Sequence, residues 1–232
     1  MSMISQTNVA VRFRTRHRLT ARRCCLVVIV FAAIGVCATA IGAQSEQLRE
    51  SWQRVPDLFA AAGVRAGARI ADVGCGDGFL TVRLASAVGP TGRIYAVDTD
   101  AKVAEGLRQR LAAAAITNVE VVIGAEDDPH VPVNTLDGAV ILNAYHEMAQ
   151  GVSVLRHLHD ALKRGGRLVL SEPTPRTPHQ PRADQMNDHV LDPVLILVDL
   201  RAAGFQVLDR RDIFATNLGG THFGFVAARR AR

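Results

Sequence analysis

The chain of 232 residues has few cysteines and few aromatic residues. Three of its four cysteines, Cys24, Cys25 and Cys37, lie in the first 43 residues, so the remainder, in which Cys75 stands alone, has no partner for an intramolecular disulfide. The cysteine content therefore neither favours nor opposes an oxidising compartment. Aromatic residues make up 5% of the chain and hydrophobic residues 48%, so the apolar mass is mainly aliphatic, as is typical of a helix-covered parallel sheet.

The chain also lacks an excess of charge outside its N-terminal segment, although its net charge is +5. Residues 1–43 contain six arginines and no acidic residue, which leaves 21 of the 27 basic residues against all 22 acidic residues. No basic stripe interleaved with aromatic side chains follows in this nearly neutral remainder. Nucleic acid is therefore not expected as a partner.

An uncharged run over residues 24–43 follows the arginines and ends in small residues. This order is typical of a secretory signal peptide, and the run is also long enough to be an uncleaved membrane anchor. Because arginines before an apolar run stay cytoplasmic, residues 44–232 are expected to form an exported domain, either periplasmic or tethered to the inner membrane through residues 24–43. A buried core helix over the run, and a cytosolic form of the protein, are the alternatives.

Short strand-like runs alternate with helical stretches after Gly67. Strands are predicted over 69–73, 93–97, 119–123, 137–142 and 167–171, and helices over 46–62 with a break near Pro56, 79–88, 101–115, 151–163 and 192–203. Such alternation predicts right-handed crossovers and a parallel sheet. Two further strands, over 205–213 and 222–229, are joined by a glycine-rich turn and predict an antiparallel pair. The expected fold is α/β, a doubly wound and mostly parallel sheet of seven strands with an antiparallel C-terminal pair.

An acidic residue and three glycines follow the first predicted strand, at Asp72, Gly74, Gly76 and Gly78. Glycines let the backbone adopt positive φ and approach a ligand, and strand ends form the binding crevice of open α/β sheets. A dinucleotide fingerprint has two residues before its last glycine, whereas a single residue stands there in this chain. Asp72 also suits a ligand with an ammonium group better than one with a pyrophosphate. The motif therefore disfavours a dinucleotide oxidoreductase.

Polar residues follow the next three predicted strands as well. Asp98 ends the second strand, where a carboxylate can accept both hydroxyls of a ribose, whereas Asp100 is better placed to cap the following helix. Glu126 and Asp127 follow the third strand and offer a contact to a nucleobase, with a solvated acidic loop as the alternative. Asn143 follows the fourth strand, so all these residues are expected at one edge of the sheet.

These motifs resemble the class I S-adenosylmethionine-dependent methyltransferases, in a small-molecule branch similar to quinone C-methyltransferases. The resemblance runs from about residue 50 to the C-terminus and includes the paired glycines within 162–170. It implies a Rossmann-like sheet, S-adenosyl-L-methionine as cofactor and a small-molecule methyl acceptor. The residues that it implies for the cofactor are Asp72, Gly74, Gly76, Gly78, Asp98, Glu126, Asp127 and Asn143. Family members commonly carry an acid directly after the glycine that follows the third strand, whereas this chain has Ala125.

Tyr145, His146 and Glu147 are the catalytic candidates. Because the sulfonium of the cofactor is already electrophilic, a base is needed only for a hydroxyl or an acidic carbon, and histidine suits neutral pH best. His146 and Glu147 could instead cap a helix or line the cofactor pocket. A binding protein that kept the pocket without catalysis is the alternative function.

Two histidines, His179 and His189, lie in the proline-rich stretch after the fifth predicted strand or close behind it, near Asp184 and Asp188. Their spacing matches no known metal motif, so no metal site is predicted.

Overall fold

The computed structural model describes residues 44–177 and 180–230. The chain divides into two compact units, Met1–Gln47 and Leu48–Arg232, and of the first unit only residues 44–47 are described. The predicted signal or anchor segment therefore lies outside the described residues, as does His179. Within the described ranges, no helix is long and apolar enough to cross a membrane.

The second unit alternates strands and helices as the sequence predicts. Residues 48–52 are helical. The elements that follow are α1 (Val55–Ala62), β1 (Arg69–Val73), α2 (Phe79–Val88), β2 (Arg93–Asp98), α3 (Ala101–Ala113), β3 (Val119–Ile123), β4 (Leu136–Leu142), a 3-10 turn (Tyr145–Glu147), α4 (Gly151–Ala161), β5 (Leu162–Pro173), α5 (Arg182–Asn187), α6 (Pro193–Ala202), β6 (Gln206–Thr216) and β7 (His222–Arg229).

The seven strands form one sheet in the order β3-β2-β1-β4-β5-β7-β6. Strands β1 to β5 pair in parallel, and β7 runs antiparallel to both β5 and β6. The predicted fold class, a mostly parallel α/β sheet with an antiparallel C-terminal pair, is confirmed. The order in which successive strands are added to the sheet reverses between β1 and β4, although these two strands are parallel. Ligands of open α/β sheets bind at the carboxyl ends of strands beside such a point.

Both faces of the sheet are buried, because successive side chains of a strand point to opposite faces. Ile70 and Val140 belong to the core cluster that packs under α1 and α2, whereas Ala71 and Ile141 belong to the cluster under α4 and α6. The aliphatic composition follows from this arrangement, since central strands that are covered on both sides have no solvent-facing positions.

The break predicted near Pro56 is confirmed. The helical stretch over 46–62 is interrupted at residues 53–54, where Arg54 has a φ of 54°, and Pro56 lies in the first turn of α1, where its missing N–H costs no hydrogen bond. Strand β5 is longer than predicted at both ends and continues to Pro173, and the short helix α5 was not predicted.

Candidate active site

The turn between β1 and α2 has left-handed backbone at all three of its glycines. The φ angles are 73° at Gly74, 52° at Gly76 and 83° at Gly78. A Cβ atom at Gly74 would collide with Ala144, and one at Gly78 with Leu107, whereas a Cβ at Gly76 would have no atom within 4 Å. Gly74 and Gly78 are thus required by packing, and Gly76 presents its backbone to open space.

Asp98, at the end of β2, is bound to this turn. Its Oδ2 accepts a hydrogen bond from the amide of Gly76 at 3.0 Å, and its Oδ1 accepts one from the amide of Asp100 at 3.0 Å. Asp100 caps α3 by accepting hydrogen bonds from the amides of Lys102 and Val103, which confirms its predicted capping role. A carboxylate has about four acceptor positions, so both Asp98 oxygens can accept further donors.

A cavity of about 260 Å³ lies beside Asp98. We call it the small cavity; its wall is formed by Val73, Gly74, Val97, Asp98, Thr99, Ala125, Glu126, Pro129, Ala144, Glu147, Met148, Ala149 and Val154. Three carboxylates, at the end of β2 and in the segments that follow β3 and β4, therefore stand among mainly apolar side chains. This is the composition of a site for an amphipathic small molecule.

Asp72 is buried next to the glycine turn. Its Oδ2 accepts a hydrogen bond of 2.6 Å from the hydroxyl of Thr81, which joins β1 to α2. Burial raises the pKa of Asp72 to about 6, although the Thr81 hydroxyl and the charge of Arg49 act in the opposite direction. Ionisation of this carboxyl group therefore costs more free energy in the folded chain than in water.

A second cavity, of about 1060 Å³, opens on the other side of Asn143. In this large cavity, Trp52 and Phe223 form an aromatic wall, with their ring centroids 5.0 Å apart. Arg49, Arg176, His189 and His222 are among its polar lining residues. The combination suits a small molecule with a ring and polar substituents.

His146, which follows β4, and Glu172, near the end of β5, form a buried pair. The distance from His146 Nδ1 to Glu172 Oε2 is 2.6 Å, and the side chains are 2% and 0% exposed. Glu172 Oε1 also accepts hydrogen bonds from the amides of Ala144 and Tyr145. Since an ionised carboxylate only accepts, the proton of a neutral His146 ring belongs on Nδ1, and Nε2 then has the lone pair.

The charge of Glu172 also controls the titration of His146. Burial alone lowers the pKa of His146, but the hydrogen bond and the negative charge of Glu172 outweigh it, and Glu147 adds to the effect, so the pKa is raised. The Nε2 atom faces Glu147 Oε1 at 3.7 Å, and the same oxygen lies 3.7 Å from His189 Nδ1. Glu147 lines the small cavity and His189 the large one.

Tyr145 is placed differently from its two neighbours. It is 2% exposed, its hydroxyl donates to Asp199 Oδ2 at 2.9 Å, and Arg182 pairs with both oxygens of that carboxylate. Burial and the charge of Asp199 raise the pKa of Tyr145. Tyr145 is not among the described residues that line the two cavities.

Comparisons with known proteins agree with this geometry. Residues 70–166 match the family model described as "Methyltransferase domain". The demethylmenaquinone methyltransferase of Symbiobacterium thermophilum is 33% identical over 124 residues, which are 53% of this chain and 49% of that protein. The ubiquinone/menaquinone biosynthesis C-methyltransferase of Pseudomonas savastanoi is 33% identical over 122 residues, 52% of this chain and 47% of that protein. Residues 70–166 thus resemble a class I methyltransferase domain.

The fold of this methyltransferase also has a solved counterpart. A SAM-dependent methyltransferase from Aquifex aeolicus superposes with a TM-score of 0.65 at 22% identity, over 76% of this chain and 89% of that one. The chain spans about half the length of the curated relatives that it matches.

The predicted cofactor residues of the methyltransferase occupy different positions around the two cavities. Gly74, Asp98 and Glu126 line the small cavity, whereas Asn143 lines the large one. Asp127 is exposed and Asp72 is buried, and neither contributes to either wall. Of the two acids proposed for a base contact, the structure thus brings only Glu126 to the small cavity.

Sequence reasoning missed Glu172 and the aromatic wall of the methyltransferase. Glu172 directly follows the predicted fifth strand, at the same sheet edge as Asp98 and His146, and this position was the available signal. Trp52 and Phe223 are 171 positions apart in the sequence, and no local pattern indicates that their rings meet.

Proposed function

We propose that the chain binds S-adenosyl-L-methionine in the small cavity and transfers its methyl group to a small molecule in the large cavity. The observation that carries this proposal is the hydrogen bond from the Gly76 amide to Asp98, beside a cavity at the point where the strand order reverses. The match of residues 70–166 to a methyltransferase domain supports the same chemistry.

The residues of the small cavity fit a nucleoside. Asp98 keeps acceptor positions for two ribose hydroxyls while it holds the glycine turn in place. Val97, Met148 and Val154 offer apolar contacts to a flat base, and Glu126 offers an acceptor to an exocyclic amine. When bound, the cofactor supplies an electrophilic methyl group, so the chain itself has to orient the acceptor and exclude water.

The large cavity fits an acceptor with an aromatic or quinone-like ring. The rings of Trp52 and Phe223 offer a surface for stacking, and Arg49 and Arg176 offer donors for ring oxygens. The names of the relatives refer to quinone substrates, and we extend that acceptor class to this chain. Glu147 lines the small cavity and its Oε1 lies 3.7 Å from His146 Nε2, so these two residues are the bases proposed for an acceptor that loses a proton.

Calorimetry followed by an assay of methyl transfer tests the proposal. The full-length protein is titrated with S-adenosyl-L-methionine and with NADH, and is then incubated with methyl-labelled cofactor and a panel of quinols and phenols. We expect S-adenosyl-L-methionine to bind more tightly and at least one ring acceptor to become labelled. Tighter binding of NADH would indicate a dinucleotide enzyme, and tight cofactor binding without a labelled product would indicate a binding protein; either result would contradict the proposal.

A further inference from the structure

Three potential metal ligands from two separate segments meet between the cavities. His146 Nε2, Glu147 Oε1 and a nitrogen of His189 lie within 4.8 Å of one another. Both histidine–carboxylate distances are 3.7 Å. Donors that bind one Zn²⁺ at about 2.0–2.2 Å are about 3 to 3.6 Å apart, so these two distances are close to those of a metal site, and side-chain movements would bring the three donors to one ion. We call these three residues the HEH cluster.

The buried carboxylate of Glu172 orients the first ligand. It binds the Nδ1 side of His146 at 2.6 Å and directs Nε2 towards Glu147 and His189. Histidines that bind metals almost always donate their second ring nitrogen to a carboxylate or a carbonyl, which fixes the tautomer and makes the ligand more basic. The His146–Glu172 pair has this arrangement, and it is independent of the proximity of the other two ligands.

The third ligand is held by backbone hydrogen bonds although it lies outside regular structure. The amide of His189 donates to the carbonyl of Met186, the amide of Val190 to the carbonyl of Gln185, and the amide of Leu191 to the carbonyl of Pro173. The His146 and His189 rings stand nearly perpendicular, with their centroids 5.5 Å apart. The loop after α5 is therefore fixed to α5 and to the end of β5, with the His189 ring against that of His146.

We propose that the HEH cluster binds a divalent first-row transition metal such as Zn²⁺ or Fe²⁺. Two histidines and one carboxylate are the ligand set of several metal centres that keep open coordination positions. Since Glu147 lines the small cavity and His189 the large one, an open position faces the space between them. The role assigned to the ion, which is to hold an oxygen of the acceptor, rests on the proposed function; metal binding itself does not. This inference departs from the sequence-based prediction of no metal.

The test measures metal binding without cofactor or acceptor. Full-length protein is stripped with a chelator and titrated with Co²⁺, followed by visible absorption, and with Zn²⁺ in competition. The variants are Glu147→Gln and His189→Ala, in two exposed side chains whose loss leaves the core intact. The matched control is His157→Ala, in an exposed histidine on α4.

We expect one Co²⁺ per chain with the absorption of a nitrogen and oxygen site, an affinity reduced at least about tenfold in both variants, and an unchanged affinity in His157→Ala. Three results would overturn the inference: no cobalt absorption, equal affinity in the parent and the two variants, or a thiolate charge-transfer band, which would assign the metal to cysteines. Because no cofactor is present, a failed metal titration leaves the calorimetry of S-adenosyl-L-methionine to judge the proposed function separately.

Discussion

At the scale of single residues, two carboxylates of similar sequence context have separate tasks. Asp98 ends β2 and holds the turn at Gly76, whereas Asp100 caps α3. The sequence predicts the cap, since a helix start is a local signal, whereas it predicts a ribose contact for Asp98 and not the hydrogen bond to Gly76. Glu126 and Asp127 show where such reasoning ends, because both are acids in one loop and only the tertiary arrangement decides which of them reaches a cavity.

Asp98→Ala is expected to weaken the binding of S-adenosyl-L-methionine by about 1 to 3 kcal/mol, because hydrogen bonds to a charged acceptor are lost. Asp100→Ala is the control, with a loss of about 1 kcal/mol in helix stability and no loss of affinity. Calorimetry and thermal unfolding measure the two effects. Equal affinity of parent and Asp98→Ala would reject the assignment to ribose.

The buried carboxyl of Asp72 predicts a pH dependence of stability. Its pKa rises from 3.8 in the unfolded chain to about 6 in the folded one, so the folded state binds more protons between these values. Stability from this group is therefore present at low pH and is lost as the pH rises through that window. Asp72→Asn keeps the acceptor for Thr81 but does not titrate.

Denaturant unfolding of the parent and Asp72→Asn at a series of pH values measures this effect. We expect the stability of the parent to fall relative to the variant as the pH rises from about 4 to about 7. A difference that stays constant over this range would show that Asp72 titrates normally.

At the scale of elements, the alternation of strand and helix patterns and the turn residues predict the sheet. Contacts between residues that are distant in the sequence determine the other elements. The pair β6 and β7 follows from the turn at 217–220, where the Asn217 side chain accepts hydrogen bonds from two backbone amides. The short helix α5 directly follows a proline-rich stretch, which hides the sequence signal of its first turn. A hydrogen-bonded ion pair between Arg182 and Asp199 of α6 holds it in place. Such a contact between elements has no local sequence signal.

Tyr145→Phe tests the role of the 3-10 turn that follows β4. Loss of the hydrogen bond to the buried carboxylate of Asp199 is expected to cost about 1.5 to 3 kcal/mol of unfolding free energy, with cofactor affinity unchanged. Tyr95→Phe, which changes the other tyrosine of the chain, is the comparison variant. Its expected loss of unfolding free energy is smaller. A large drop in the rate of methyl transfer at unchanged stability would support the predicted catalytic role of Tyr145 instead.

At the scale of the whole molecule, the positive charge and the catalytic domain belong to different parts of the chain. The arginines and the apolar run of residues 1–43 predict export or anchoring, which stays a prediction. Export conflicts with a cofactor that is made in the cytosol, because a folded domain outside the cell membrane would have no local supply. The proposed site thus needs a cofactor from the cytosol, whereas the predicted location places the domain outside the cytosol.

A fusion of residues 1–43 to alkaline phosphatase, expressed in a bacterial host, tests the location. The fused alkaline phosphatase is expected to be active, because it folds only after transfer to the periplasm. A fusion without residues 1–43 is the inactive control. Activity confined to a cytosolic reporter fused at the same point would contradict export and would remove the conflict over cofactor supply.

The central claim is that the small cavity beside Asp98 is the cofactor site of a methyltransferase. The most direct test is a crystal structure of the full-length protein grown with S-adenosyl-L-methionine. The account predicts the ribose hydroxyls within hydrogen-bonding distance of both Asp98 oxygens and the base among Val97, Met148 and Val154. Cofactor density elsewhere, or a ribose that contacts no oxygen of Asp98, would contradict it.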